Sequence, residues 1–598
     1  MPTPSLSRRS VLKGAAVTAA AAALPFRAFD AAAATAPASK GIFGYGVASG
    51  DPTAGALVIW TRATPPTRGR EAVATPGSGL GRSVAVLWEV ATDEQFRRVV
   101  RRGVVRTSAD SDHTVKVDVN RLQTYTRYYY RFRAEGETSP VGRGQTAPDE
   151  RGEVHALRLA LVSCSNYTGG YFSAYRALGT RTDLDFVLHV GDYIYEYGNG
   201  TDRYGPKSLA GTRDAQPATE TIDLQGYRLR HALHKADPDL QAAHRQQPWI
   251  TIFDDHEVAN NTWRNGAENH TPGVEGDFDR RRREAYQAYL EWMPFRLPEQ
   301  RLVPHQGTRF FKRFTFGALG DLTVVETRQN RSEQVDYAPF KTHDGGFVPD
   351  TDPATNARLA DPSRHLPEPE QLQWLKDGLA APTGPWHLVG NQVVFAPVRF
   401  PGAALGRPTF PTLLNSDQWD GYQADQSALI AHLGAQPAGA GDAVVLTGDI
   451  HSSWAIDIPA DRRTYATRKN SVGVEFVCPS VTSDGFFEAT VAATTGLATE
   501  SQVAATRGIT KAVQATSPWV RYLDGVGHGF TVIDVTPARV QADFYLTPAP
   551  TTAVPDPRVV RTGVVPTLAA SWQTLAGSRA VSPAAAPIGA RSDEPRAS

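Results

Sequence analysis

The chain has no excess charge of either sign: 62 Lys and Arg residues stand against 62 Asp and Glu. That balance removes the electrostatic reason to expect a nucleic acid or an anionic membrane as partner. Cysteine is nearly absent. With only Cys164 and Cys478 in 598 residues, one disulfide is the most the chain can form. Long apolar runs are lacking beyond the N-terminus, and the one stretch found there is too short to span a bilayer comfortably. No G-x-x-x-x-G-K-[ST] phosphate loop occurs, and "HEVANN" at 256–261 lacks the second histidine of a zinc-protease helix. No internal repeat recurs at a fixed period.

What is present is ordinary for a soluble protein with a sizeable core: 41% hydrophobic and 21% charged residues. The length alone suggests about four domains. Residues 1–35 stand apart. "SRRSVLKG" at 7–14 carries twin arginines, an alanine-rich apolar stretch follows, and "AFDAAAATAPA" is a small-residue region suited to cleavage. This is the pattern of a twin-arginine export signal, and it predicts an extracellular, cell-wall-associated or periplasmic protein.

Residues 42–147 read as all-β. "ALVIWTRA", "SVAVLWEVA", "VVRRGVVRT", "HTVKVDV" and "RYYYRFRAEG" are short runs rich in Val, Tyr and Trp, separated by turn residues. Their spacing suits a β-sandwich of the immunoglobulin or fibronectin kind. "QTAPDERGEV" at 145–154 reads as a linker, and a second domain is expected over 155–547. The Pro- and Ala-rich stretch 548–598 reads as an unstructured or loosely attached tail. "RRRR" at 280–283 opens a helical segment in which Tyr286, Tyr289, Leu290 and Met293 share a face; the arginines are expected on its solvated side.

Within 155–547 the pattern becomes α/β. Five apolar runs end in polar clusters: "LRLALVSCSN", "DFVLHVGDYIYEY", "WITIFDDHE", "WHLVGNQVV" and "AVVLTGDIHSSW". Ligands of α/β sheets sit beyond the carboxyl ends of strands, so five such ends imply one shared site. Its inventory is Cys164, Asp192, Tyr195, Asp255, His256, Asn391, Asp449 and His451. Carboxylate and amide oxygens suit hard cations, whereas imidazole and thiolate suit a transition metal. A phenolate suits ferric iron. The set divides accordingly, as for two metals of different character, and a metal pair suits in-line displacement at a phosphate ester.

These blocks resemble those of the metallophosphoesterases. "GDYIY" matches the G-D-x-x-Y of purple acid phosphatases, "DDHE" resembles their G-N-H-[DE] block and "GDIH" their G-H-x-H block. The whole set resembles the PhoD-type alkaline phosphatase and phosphodiesterase family, as do "ADPDLQ" at 236–241, "DDHEVANNTW" at 254–263, "ETRQNR" at 326–331 and "PSVTSDG" at 479–485. The resemblance spans about residues 42–545.

The resemblance implies an exported hydrolase of phosphate esters, monoesters or diesters, with ferric iron and calcium as cofactors. Magnesium, manganese or zinc are alternatives to calcium at the second site. It implies that Asp192 bridges the metals. Cys164, Tyr195 and His451 would complete the iron site, with Cys164 where many relatives have aspartate. Asp255, Asn391 and Asp449 would complete the calcium site, with Gln392 as an alternative to Asn391. His256 would lie beside the phosphate as proton donor or charge stabiliser. Glu326 departs from the pattern, since aspartate is expected before "TRQNR". A monomer is expected, with a phosphate ester as its partner.

Several residues carry plainer readings. Composition alone favours a disulfide between the cysteines; the motif context makes Cys164 a ligand and Cys478 a buried apolar residue. Tyr193, Glu196 and Tyr197 are expected to pack or line the pocket. His189 reads as a core histidine and Trp454 as packing. His231, His234 and His270 lie near "DDHE" in the chain and are weighed as substrate contacts against surface roles. Asn260 and Asn261 would cap a turn or line the pocket. Two other functions compete: a phospholipase D-like phosphodiesterase acting on lipid headgroups, and a secreted binding protein with structural metals.

Overall fold

The computed structural model describes residues 41–591, except 68, 70–72, 297–308, 341–345, 382 and 438. The export signal lies outside the described residues. All five apolar runs with polar ends form strands, but they divide between two sheets. Leu157–Val162, Phe186–His189 and Pro248–Thr251 run parallel as neighbours in a ten-stranded sheet. Trp386–Gly390 and Asp442–Thr447 run parallel in a seven-stranded sheet. These strands are buried along their whole length, which is why they read as continuous apolar runs rather than alternating ones.

The two sheets pack face to face. Leu159, Leu161, Val187 and Ile250 from one share a cluster with Leu322, Leu388, Val444 and Phe476 from the other. Each such side chain contributes about 1.5–3 kcal/mol by leaving water. The strand ends that carry the polar clusters therefore face each other across the same seam. Among the described residues no helix is long and apolar enough to cross a membrane.

The N-terminal region is the expected β-sandwich. All five of its predicted runs are strands, and a core of Leu57, Ile59, Val86, Val90, Val115, Tyr130 and Phe132 lies between its sheets. One of those sheets is continuous with the catalytic sheet. Val47–Thr53 pairs in parallel with Pro248–Thr251 through Ser49 and Gly50, so the ten-stranded sheet runs from one domain into the other.

Two expectations fail. The stretch 548–598 is not a loose tail over its described part. Thr567–Leu575 pairs antiparallel with Arg539–Leu546, and Val581–Pro583 pairs with Thr567–Leu575, so together they form one end of the large sheet. Arg591 then donates to Asp185, to the carbonyl of Ala156 and to the hydroxyl of Tyr125. The arginine run at 280–283 is only half solvated. It lies in the helix Phe278–Trp292, which does bury Tyr286, Tyr289 and Leu290, but Arg281 and Arg282 are buried too. Arg281 donates to Glu220 at 2.8 Å, Glu275 at 3.0 Å and the Tyr227 hydroxyl at 2.9 Å. The Asn269 carbonyl also accepts from Nη1 at 3.0 Å, and none of these partners lies three or four residues away on the same helix face.

Amide hydrogen exchange followed by mass spectrometry checks the C-terminal strands. Amides of 567–575 should exchange as slowly as those of 539–546; exchange at random-coil rates would return this stretch to a loose tail.

Candidate metal centre

The strands enter the site through turns that few side chains adopt. φ is 61° at Cys164, 58° at Asp192, 60° at Asp449 and 54° at His451. A left-handed non-glycine residue costs on the order of 1–3 kcal/mol, and such residues cluster where function over-determines the backbone. Two glycines allow the close approach. At Gly191, with φ 111°, a Cβ would lie 2.3 Å from the Cβ of Asp254. At Gly448 a Cβ would lie 2.5 Å from Ser163 Oγ. The Glu257 carboxylate ties two turns together, accepting from the backbone N–H of Asp192, Tyr193 and Asp254 at 3.2, 2.7 and 2.9 Å.

Three donor groups result. Cys164, Asp192 and His451 place ligand atoms within 4.8 Å of one another; so do Asp192, Asp255 and His256, and so do Asp254, Asp255 and Asp449. All are buried. Asp192 belongs to two groups and Asp255 to two, so the three form one chain of sites. Tyr195 joins the first: its hydroxyl donates to Asp192 Oδ2 at 2.7 Å and lies 3.4 Å from His451 Nε2. His451 Nδ1 donates to the Asp484 carbonyl at 2.6 Å. A carbonyl only accepts, so the proton is on Nδ1 and the Nε2 lone pair faces the cluster. The other Asp192 oxygen, Oδ1, is buried without a hydrogen bond among the described residues. A buried carboxylate oxygen so placed suits a cation.

The electrostatics agree. Burial raises the Cys164 thiol and the Tyr195 phenol well above their ordinary ranges, and the Asp192 charge adds to both. Burial lifts Asp192 to about 6 against the pull of His256. Each group resists deprotonation, and a multiply charged cation among them reverses each shift. His256 goes the other way. Burial disfavours its charge, but Asp255, Glu196 and Asp192 outweigh that and raise it to about 10. Its Nδ1 lies 2.7 Å from Glu196 Oε2, while its buried Nε2 makes no hydrogen bond among the described residues.

The third group already holds a positive charge. The Arg328 guanidinium is fully buried and pairs with Asp254, with Asp417 at 3.0 Å and with Asp449 at 3.0 Å. Arg331 also pairs with Asp417, at 2.7 Å. Arg328 belongs to the "ETRQNR" block, and Glu326 accounts for that block's departure from aspartate. Its carboxylate accepts from the backbone N–H of Arg328 and Gln329 at 2.6 and 2.8 Å. It organises the turn that presents Arg328.

Asn391 does not face the site. Its Oδ1 accepts from Trp419 Nε1 at 3.2 Å, and its amide donates to Thr447 Oγ1 and the Val393 carbonyl. Gln392 is likewise engaged, with Thr327 and the Val325 carbonyl. Asp254 is a further acid beside Asp255 and Asp449, but both of its oxygens accept from Arg328.

His189 is a core histidine stacked on Trp249, and Trp454 is buried packing. His231 stacks on Tyr193, and His234 bonds the carbonyls of Arg230 and Ser165. His270 packs on Phe278. None of these three joins a donor group, and all are buried rather than at the surface. Asn260 and Asn261 shape a turn, their backbone N–H groups donating to Glu196 and Asp255 and both side chains to Glu268. Both cysteines are free thiols, and Cys478 lies in the main core. Sequence reasoning missed Asp254, Arg328, Asp417 and the role of Glu196, although the first two lie in blocks it had quoted.

Two packed sheets whose strand ends converge on buried carboxylates, an imidazole, a phenol and a thiol suit a phosphoesterase whose side chains could hold metal ions. Residues 159–544 match the PhoD-like phosphatase family and residues 30–148 its N-terminal domain. Residues 5–25 match the twin-arginine translocation pathway signal sequence. Alkaline phosphatase D of Bacillus subtilis (strain 168) is 35% identical over 507 residues, covering 85% of this chain and 78% of that protein. A solved structure titled "Structure of PhoD" superposes with a TM-score of 0.74 at 32% identity, covering 92% of this chain and 94% of that one. The chain belongs to the PhoD-like phosphatase family. It is a phosphoesterase, and its signal directs it to twin-arginine export.

Arg328→Met leaves the buried Asp254 and Asp449 without their arginine, and Asp417 with Arg331 alone. It should lower stability by about 3–5 kcal/mol, measured by denaturant unfolding in the presence of chelator. A loss below about 1 kcal/mol would mean the acids are neutralised by something else.

Proposed function

We propose that this phosphoesterase works with two cations of different character, ferric iron at the first group and calcium or a similar hard cation at the acidic groups. The observation that carries the reading is the convergence of the left-handed residues Cys164, Asp192, Asp449 and His451, with one Asp192 oxygen buried and without a hydrogen bond. Cys164, Tyr195, Asp192 and His451 would hold the first cation, their thiolate, phenolate and imidazole suiting a transition metal. Asp192, Asp255 and Asp449, all oxygen donors, would hold the second, with Asp254 held by Arg328 beside them. Bound together, two such cations acidify a water and neutralise charge on phosphoryl oxygens, which is the chemistry of in-line displacement at phosphorus.

The protein's own part is orientation and proton transfer. Glu196 is fixed by the backbone N–H of Asn260 at 2.8 Å and the Asn269 amide at 2.8 Å. It accepts from His256 Nδ1, which aims Nε2 at the Asp192–Asp255 side of the site. The protonated ring is placed to give its Nε2 proton to the departing alkoxide. With Asp192 and Asp255 engaged in ligation, less of their charge reaches the ring, which moves it toward the range where a proton is released. Burial of the whole cluster excludes bulk water and strengthens each of these interactions.

Hydrolysis of p-nitrophenyl phosphate and its bis ester tests the cation dependence. Exhaustive chelation should abolish both activities, and calcium or a related hard cation should restore them. Full activity after elemental analysis confirms metal loss would refute the two-cation reading.

His256→Ala should fold and keep its metals yet lose roughly 10²–10⁴-fold in kcat on alkyl phosphates. The loss should be smaller for nitrophenyl esters, whose leaving group hardly needs a proton. Equal losses on both would assign His256 to phosphate binding, and no loss would remove it from the reaction.

A further inference from the structure

The C-terminal segment reaches the donor cluster through one arginine. Arg558 lies in a single turn, Pro557–Val559, beyond the region that matches the catalytic family. Its side chain is 2% exposed. Nη1 donates to the Thr482 carbonyl at 2.9 Å and to Asp484 Oδ1 at 2.7 Å. Nε and Nη2 grip Asp556 at 3.0 and 2.8 Å, and Nη2 also lies 3.3 Å from Glu488. The Arg558 carbonyl accepts from the Tyr171 N–H at 2.8 Å. One residue thus joins the C-terminal segment to two separate loops.

The loop it clamps, Ser480–Gly485, touches three residues of the first donor group. The Asp484 carbonyl accepts from His451 Nδ1 at 2.6 Å. Ser483 Oγ donates to the Tyr195 hydroxyl at 2.6 Å, and the same Oγ lies 2.9 Å from the Cys164 carbonyl. The Thr482 N–H donates to the Cys164 carbonyl at 3.3 Å, and its hydroxyl to the Asn166 carbonyl at 2.6 Å. Hydrogen bonds of this kind set the tautomer and direction of a ligating ring and the aim of a phenol, and losing one typically costs 10–100-fold in metal affinity. The two contacts of Nη1 fall on the residues either side of Ser483. A shift of the loop moves the Ser483 hydroxyl and the Asp484 carbonyl together.

We propose that Arg558 is a positioning residue for the Cys164–Tyr195–His451 cluster, acting through Thr482, Ser483 and Asp484, so that the C-terminal segment completes the metal centre as well as the sheet. The inference rests on the reading of that cluster as a metal site. It concerns metal retention, not contact with substrate.

A matched control is built into the same segment. Arg591 is also a buried arginine anchor, its side chain 2% exposed and paired with Asp185 at 2.6 Å. It holds the opposite end, where Asp185 precedes the strand Phe186–His189. Lysine keeps the charge at either position but loses the planar fork.

The test uses the full-length, metal-loaded protein and its Arg558→Lys, Arg558→Met and Arg591→Lys variants. Elemental analysis at timed intervals during incubation with excess chelator gives the release rate of the slowly leaving metal, and thermal unfolding gives stability. Arg558→Lys should release that metal about tenfold faster or more, while Arg591→Lys, with a similar fall in Tm, should release it at the parent rate. Should Arg558→Met not accumulate as folded protein, Arg558→Lys carries the comparison. Release at the parent rate from Arg558→Lys, or equal acceleration in both lysine variants, overturns the positioning role and leaves the metal site standing. A parent protein that retains no slowly leaving metal overturns both.

Discussion

Five carboxylates, Asp192, Asp254, Asp255, Asp417 and Asp449, meet in the seam between two sheets, none more than 4% exposed. Placing even one such charge in a dry interior costs several kcal/mol after relaxation, and neighbours of the same sign add to it. The surrounding structure reads as compensation. Arg328 and Arg331 neutralise the side that holds Asp254, Asp417 and Asp449. Asp192 and Asp255 face the His256 ring, and Arg328 approaches Asp255 at 3.9 Å. Asp192 Oδ1 is buried there without a hydrogen bond among the described residues, an oxygen that a cation would satisfy.

Such a cluster needs a rigid frame, and the fold supplies it from both sheets. The turns after Phe186–His189 and Pro248–Thr251 are tied by Glu257, a carboxylate raised to about 8 chiefly by burial. Its acceptors bind backbone N–H groups that a left-handed turn leaves pointing inward. The second sheet contributes Asp449 and His451 through a turn of the same kind. Strain at these turns is tolerated because packed strands on either side leave the backbone nowhere else to go. The N-terminal sandwich extends that frame, since Val47–Thr53 is hydrogen-bonded to the strand that leads to Asp254.

Strand-end chemistry was legible in the sequence because a short apolar run that closes on acids marks a buried strand opening onto a polar site. Cys164, Asp192, Tyr195, Asp255, Asp449 and His451 do meet, in the order their motifs imply. Direction was not legible. Asn391 ends a strand like the others, but Trp419, 28 residues away in the chain, claims its carbonyl oxygen. Arg281 and Arg282 sit in a charge run that looks solvated, yet Glu220 pairs with the first and the Gln329 carbonyl accepts from the second, which offsets the cost of burial. The C-terminal stretch has the Pro and Ala content of a loose segment. Its strand "TLAASWQTL" is stabilised by an edge, Arg539–Leu546, that local composition cannot reveal. Each miss is a long-range partner overriding a local signal.

Burial also connects the site to the route of export. The donors come from residues 164 to 451 and from both sheets, so no fragment or unfolded chain presents them together. Affinity for a cation is then inseparable from folding, as in other sites that exist only in the native state. As ligands, Cys164 and Tyr195 would both have to shed protons that burial holds tightly, so filling the site would belong to assembly. A chain sent through a channel unfolded would meet its metals only on the far side. The twin-arginine signal marks the alternative, passage in the folded state, which would let such a cluster close around its cations first. The same density of buried ion pairs that makes the empty site costly would make a filled one slow to release what it holds.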